Sequence, residues 1–301
     1  MDNFLFLQRV LAAATADIAY AGAFGFVLVG LWLKCEREGD LHRQLRRGVQ
    51  GCTFALLLAL TAQTCVLTAT MAGSTDLASI REQYFSVMTA THAGRVLLCE
   101  CVLTLLFGAL LFTLYGRQTR AGTWRLLTLL ILLAAARAAT GHATVDGDFS
   151  LPEFVQFVHI VSTAIWAGCI LTAGFVVLPA MLHEKRNDAT ARFARSLSRA
   201  VTIALLLILL SGLYNSWRGL GGSLAPLAAT EWGRSLDLKL VLVGIALILG
   251  ASSRRMLVSN RDPSLQDLSR LTRLVRTEAV VMLLILAVSA WLANSPPANP
   301  G

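Results

Sequence analysis

The sequence predicts an all-α integral membrane protein with eight transmembrane helices, and three observations carry that prediction. Of 301 residues, 55% are hydrophobic and only 15% are charged, against about a quarter charged in soluble domains. The mean hydropathy is +0.64, too high for a chain that must wear a polar skin in water. Apolar runs long enough to cross ~30 Å of hydrocarbon recur along the whole chain.

The spans lie near residues 8–33, 49–71, 92–115, 124–141, 154–178, 199–217, 234–251 and 278–294. The first follows MDNFLFLQRV, whose apolar start lacks the layout of a cleavable signal, so it is expected to stay as a helix. The second follows the basic segment KCEREGDLHRQLRR, and the third opens at His92. The fourth closes on Gly141 and His142, and the fifth carries His159 in EFVQFVHIVSTAIWAG. The sixth and seventh are Leu-rich, and the eighth runs from Glu278 to Asn294 before the tail SPPANPG, an expected irregular end.

Charge sets the orientation. The net charge is +8, but the Lys and Arg sit in short clusters between spans and so point to topology rather than to nucleic acid. Segments 34–47, 115–125, 180–199 and 252–276 hold nineteen of the 26 basic residues, and the alternate connections hold five, namely Arg9, Arg81, Arg95, Arg218 and Arg234. The positive-inside rule puts the rich segments in the cytoplasm and both termini outside.

The two halves resemble each other. In 89–112 (TATHAGRVLLCECVLTLLFGALLF) and 228–251 (AATEWGRSLDLKLVLVGIALILGA), Thr91, Gly94 and Arg95 align with Thr230, Gly233 and Arg234, and Glu100 aligns with Lys239. The first and fifth spans match more weakly. A four-plus-four parallel repeat, 1–143 and 144–301, is the expected organisation, with its axis along the membrane normal.

Ionisable groups in a bilayer are costly, so their depth is informative. Asp17, Glu100, Arg137 and Lys239 all fall in the outer half of their spans at ~1.5 Å per residue. They read as interhelical ion pairs or as the charge of a cavity open to the outer face. His92, His142 and His159 gather at the same side, while His42 and His183 lie in basic cytoplasmic loops. Imidazole is a common transition-metal donor. Met71, Met88 and Cys99 lie near the same face, with Cys65 and Cys101 close by, and soft sulfur beside imidazole suits copper, as Cu(I) or Cu(II). There is no CxxC and no phosphate-binding glycine motif, so a thiol zinc site, covalent haem and nucleotide-driven chemistry are not indicated. The chain reads as a binding or transport protein rather than an enzyme. A second reading keeps the outer histidines as axial ligands of haem b, or as ligands of a redox copper.

The run TEWGRSLDLKLVLVGIALILGASSRR resembles the signature of the CopD/PcoD copper-resistance membrane proteins. Thr230, Gly233 and Lys239 match, and Trp232 replaces the family's Tyr, keeping an interfacial aromatic. His159 with Trp166 and Gly168, and the Gly141-His142 ending, are similar to further family features. The resemblance implies a bacterial inner-membrane copper-handling protein, commonly regarded as an importer that receives metal from a periplasmic CopC-like carrier. That carrier is expected to be a separate protein.

Overall fold

The computed structural model describes residues 2–33, 39–114, 119–140, 149–184, 187–259 and 265–296. Within them the chain is built of α-helices, eight of which are long and apolar enough to cross a membrane. In chain order these are α1 (Asp2–Leu33), α2 (Asp40–Ala72), α3 (Leu77–Ala90), α4 (His92–Thr113), α5 (Arg120–Ala138), α6 (Leu151–Thr172), α7 (Leu178–Glu184), α8 (Asn187–Gly219), α9 (Pro226–Ala229), α10 (Glu231–Ser259) and α11 (Leu265–Asn294). A π-helical turn at Ala173–Val177 joins α6 to α7, so one long rod with a single widened turn forms the fifth span.

Two helices were not expected. α3 carries Arg81 and Glu82 and has only 14 residues, too short to cross ~30 Å. Its Asp76 cap accepts from the Ser79 amide at 3.2 Å, and it buries Val87 and Met88. α9 is a single turn just ahead of α10. The membrane helices also outrun their apolar windows. α5 starts at Arg120 because Thr119 caps it, taking the Gly122 amide at 3.0 Å. α11 starts at Leu265, since Leu268, Leu271, Thr272 and Val275 form a buried stripe ahead of the apolar run.

α1 is the centre of the packing. Its face of Ala16, Ala19, Tyr20, Ala21, Ala23 and Phe24 is buried, and small residues let helix backbones approach closely where lipid offers no hydrophobic drive. It packs on α2, α5, α6 and α11. At the α1–α6 crossing the backbones meet. A Cβ on Gly168 would stand 1.9 Å from the Ala21 carbonyl oxygen, and one on Gly25 would stand 2.0 Å from the Gly168 carbonyl oxygen. The cross-contacts are reciprocal, since α1 packs on α11 while α6 packs on α5. Outward-facing Phe54, Leu105, Phe112, Leu210, Leu213 and Ile248 are exposed, as lipid-facing side chains must be when no polar backbone may meet hydrocarbon.

The aligned segments share their local geometry. Thr91 Oγ1 accepts the Gly94 amide at 3.0 Å, and Thr230 Oγ1 accepts the Gly233 amide at 2.9 Å. Each glycine is then pressed on the turn before it: a Cβ on Gly94 would lie 2.3 Å from the Val87 carbonyl oxygen, and one on Gly233 would lie 2.2 Å from that of Leu227. A larger residue fits neither place. The starts of α1 and α10 and the end of α11 border one open groove, which defines a terminal face of the bundle.

Candidate functional site

Two polar centres lie inside the helices, below the terminal face. In the first, Arg137 near the end of α5 donates through Nη1 to Glu100 Oε2 on α4 at 3.2 Å and through Nη2 to Asp17 on α1. Its guanidinium stands over the Tyr20 ring, 5.7 Å from the centroid, and the Tyr20 hydroxyl donates to the Leu130 carbonyl at 2.9 Å. Glu100 is 3% exposed. A buried carboxylate is tolerable in this setting because the planar guanidinium serves two acids at once. Three helices are thereby tied at one level.

Lys239 on α10 takes no part in these contacts. It makes no ion pair among the described residues, yet its charge reaches both Asp17 and His159. It lines the second centre, a cavity of about 30 Å³, room for about one water molecule. His159, Thr163 and Ser289 share its wall with Lys239, and the rest of the lining is apolar, including Trp166 and Met282.

The His159 ring is oriented by α8. Its Nδ1 lies 3.0 Å from Ser211 Oγ on α8, and that hydroxyl donates its single proton to the Leu207 carbonyl at 2.6 Å. With its proton on a carbonyl the hydroxyl accepts from the ring, and in that state Nδ1 would carry the proton and leave Nε2 its lone pair. This is the arrangement in which imidazole binds a metal, with the other nitrogen oriented by a hydrogen bond. Gly212 makes room for the ring, since a Cβ there would touch its Cε1 at 3.4 Å. One turn away Asn215 donates to Gln156 at 2.8 Å and holds α8 against α6.

The structure thus brings together Asp17, Glu100 and Arg137, and sets Lys239 beside His159. The remaining sequence-derived donors are dispersed. His92 is exposed at the start of α4, its Nε2 2.9 Å from the Ala139 carbonyl. Met71 is exposed at the end of α2, Met88 is buried beneath Gly94, and Cys99 and Cys65 are exposed on their spans, with Cys101 half-buried. His142 lies outside the described residues. Neither His92, Met71, Met88 nor Cys99 lines the His159 cavity. Among the described residues no three of His, Cys, Asp and Glu stand close enough to share a metal. Ser211, Met282 and Glu278 escaped the sequence reading. Glu278 seemed to open its span at an interface, and only the length of α11 reveals it as an interior residue.

Comparison with known proteins gives the geometry a family. Residues 4–151 match the family model described as copper resistance protein D-like, N-terminal domain, and residues 189–292 match copper resistance protein D. The chain belongs to the copper resistance protein D family. Among its relatives is the copper transport protein CutJ of Bacillus subtilis (strain 168), 27% identical over 95% of this chain. The match spans 52% of CutJ, so the chain covers about half of that relative's length. Copper resistance protein D of Pseudomonas syringae pv. tomato is 22% identical over 91% of this chain and 92% of its own. The inner membrane protein YebZ of Escherichia coli (strain K12) is 26% identical over 89% of this chain and 92% of its own. No solved structure matches. The family lies with copper resistance and copper transport in membranes, and the eight spans make this member a multi-pass membrane protein.

Proposed function

We propose that the chain is a copper-binding protein of the bacterial inner membrane that takes copper at the periplasmic face and moves it toward the cytoplasm, with His159 as the capture ligand. The observation that carries this reading is a buried imidazole, oriented through Nδ1 by Ser211, that lines a water-sized cavity beside Lys239 within the membrane-spanning helices. The copper names of the family and its relatives support the metal. The nineteen basic residues in the alternate sequence segments 34–47, 115–125, 180–199 and 252–276 support termini that lie outside. The reciprocal packing of α1 on α11 and α6 on α5, with the twin Thr caps, supports two four-helix halves related by an axis along the membrane normal. A periplasmic carrier would meet the chain at the terminal face, where Trp232, Trp291, Phe6 and Glu231 border an open groove of about 680 Å³.

The test is equilibrium binding of Cu(I), under reductant, to the purified full chain in nanodiscs, compared with His159→Ala. Wild type is expected to hold copper without a Soret band, and the variant should lose at least roughly tenfold in affinity, as for disturbed metal ligation. Undiminished copper binding by His159→Ala would remove His159 from the site. Copper uptake into proteoliposomes then separates transport from binding.

A further inference from the structure

One buried carboxylate takes no part in the Arg137 triad. Glu278 lies well inside α11 and is 2% exposed, and among the described residues no cation pairs with it. The Trp166 indole on α6 lies near enough to act on the carboxyl. On its α10 side stands Gly250, where a Cβ would approach Oε1 to 3.2 Å. The missing side chain leaves the carboxylate room. One turn along α10, the Ser253 hydroxyl is buried without a hydrogen-bond partner. One turn along α11 in the other direction, Met282 is 1% exposed and lines the His159 cavity, as Trp166 does.

These groups form a column. It runs from His159 and Lys239 past Trp166 and Met282 to Glu278 and then Ser253. Lys239 and Ser253, its ends on α10, are separated by ~21 Å of helix rise, most of a ~30 Å hydrocarbon core. An uncompensated carboxylate at such depth is expensive, and polar groups there face a pathway far more often than lipid. Glu278 and Met282, four residues apart on α11, put a carboxylate and a thioether on one helix face. That pair suits a soft monovalent cation, Cu(I) or its redox-inert mimic Ag(I), better than a hard divalent one. With no third donor, the ion would be held loosely enough to leave again, which conduction requires.

We propose that Glu278 and Met282 form a second station for a soft monovalent cation, inward of His159 on a path between α6, α10 and α11. This rests on the copper reading above. It supplies that reading with an inner station.

The experiment measures bound Ag(I) and Ag(I) uptake for the full chain in nanodiscs and proteoliposomes, comparing wild type, Glu278→Gln, Met282→Leu and His159→Ala. Glu278→Gln keeps the side-chain volume. It should bind one equivalent fewer than wild type, keep the equivalent lost in His159→Ala, and slow uptake at least roughly tenfold. Met282→Leu, a volume-conserving exchange, should slow uptake in the same direction and decides the matter should Glu278→Gln fail to fold. Wild-type stoichiometry and uptake in Glu278→Gln, or wild-type uptake in Met282→Leu where the former does not fold, overturns the inner station and leaves the His159 reading standing. A wild-type chain that binds neither Cu(I) nor Ag(I) overturns both.

Discussion

Glu100 and Lys239 stand at the same place in two helices. Each lies eight residues into a helix that begins after a Thr cap closed on a Gly, yet one is an acid and the other a base. Around Glu100 the charges are satisfied, with Arg137 joining Glu100 to Asp17 under the Tyr20 ring. Around Lys239 they are not: the ammonium lines a small cavity with His159, and neither it nor Glu278 further along makes an ion pair among the described residues. Two helix starts of the same geometry thus lead into interiors of different chemistry. One centre uses its polar groups to hold helices together, and the other leaves a cation beside a small cavity without an ion pair among the described residues.

The difference can be broken by mutation. Arg137→Leu strands two carboxylates in the bundle and should cost about 3–5 kcal/mol, as breaking a buried ion pair does. Lys239→Met removes a charge with no ion-pair partner and should cost less than ~1 kcal/mol, because it also relieves the burial of that charge. Thermal unfolding in one detergent compares the two, and equal losses would erase the distinction between a tied centre and an open one. Ser211→Ala probes the open side alone. It frees the His159 ring to turn, so copper affinity should fall by about 10–100-fold while the melting temperature stays near wild type. A matching fall in melting temperature would mean that the Ser211 contact serves stability instead. The smallest effects should come from Thr91→Ala and Thr230→Ala. Each loses one N-cap bond worth about 1 kcal/mol, and a clear inequality between them would weaken the equivalence of the two helix starts.

The eight spans were legible because bilayer thickness imposes a length that composition alone reveals. Asp17, Glu100, Arg137 and Lys239 were legible for a related reason, since charge inside an apolar run stands out. Their pairing was not, because which acids a guanidinium reaches depends on helix rotation and on side chains more than 30 residues apart in sequence. Met71, Met88 and Cys99 show the same limit. Residue type and depth placed them at one level, but facing directions separate them, with Met88 turned inward and Cys99 outward. Glu278 was hidden by an opposite effect. The basic, amphipathic turns ahead of it look like loop, and only their buried stripe keeps α11 continuous and carries Glu278 inside.

The contact between Gly25 and Gly168 restricts how the molecule can move. Packed side chains can re-seat in neighbouring grooves when helices shift, but here carbonyl oxygens abut glycine backbone with nothing between them to rearrange. Sliding α1 along α6 would force one main chain over another. Turning about the crossing point would not. Displacement at one membrane face is therefore geared to an opposite displacement at the other, as in a seesaw whose fulcrum is two hydrogen atoms wide.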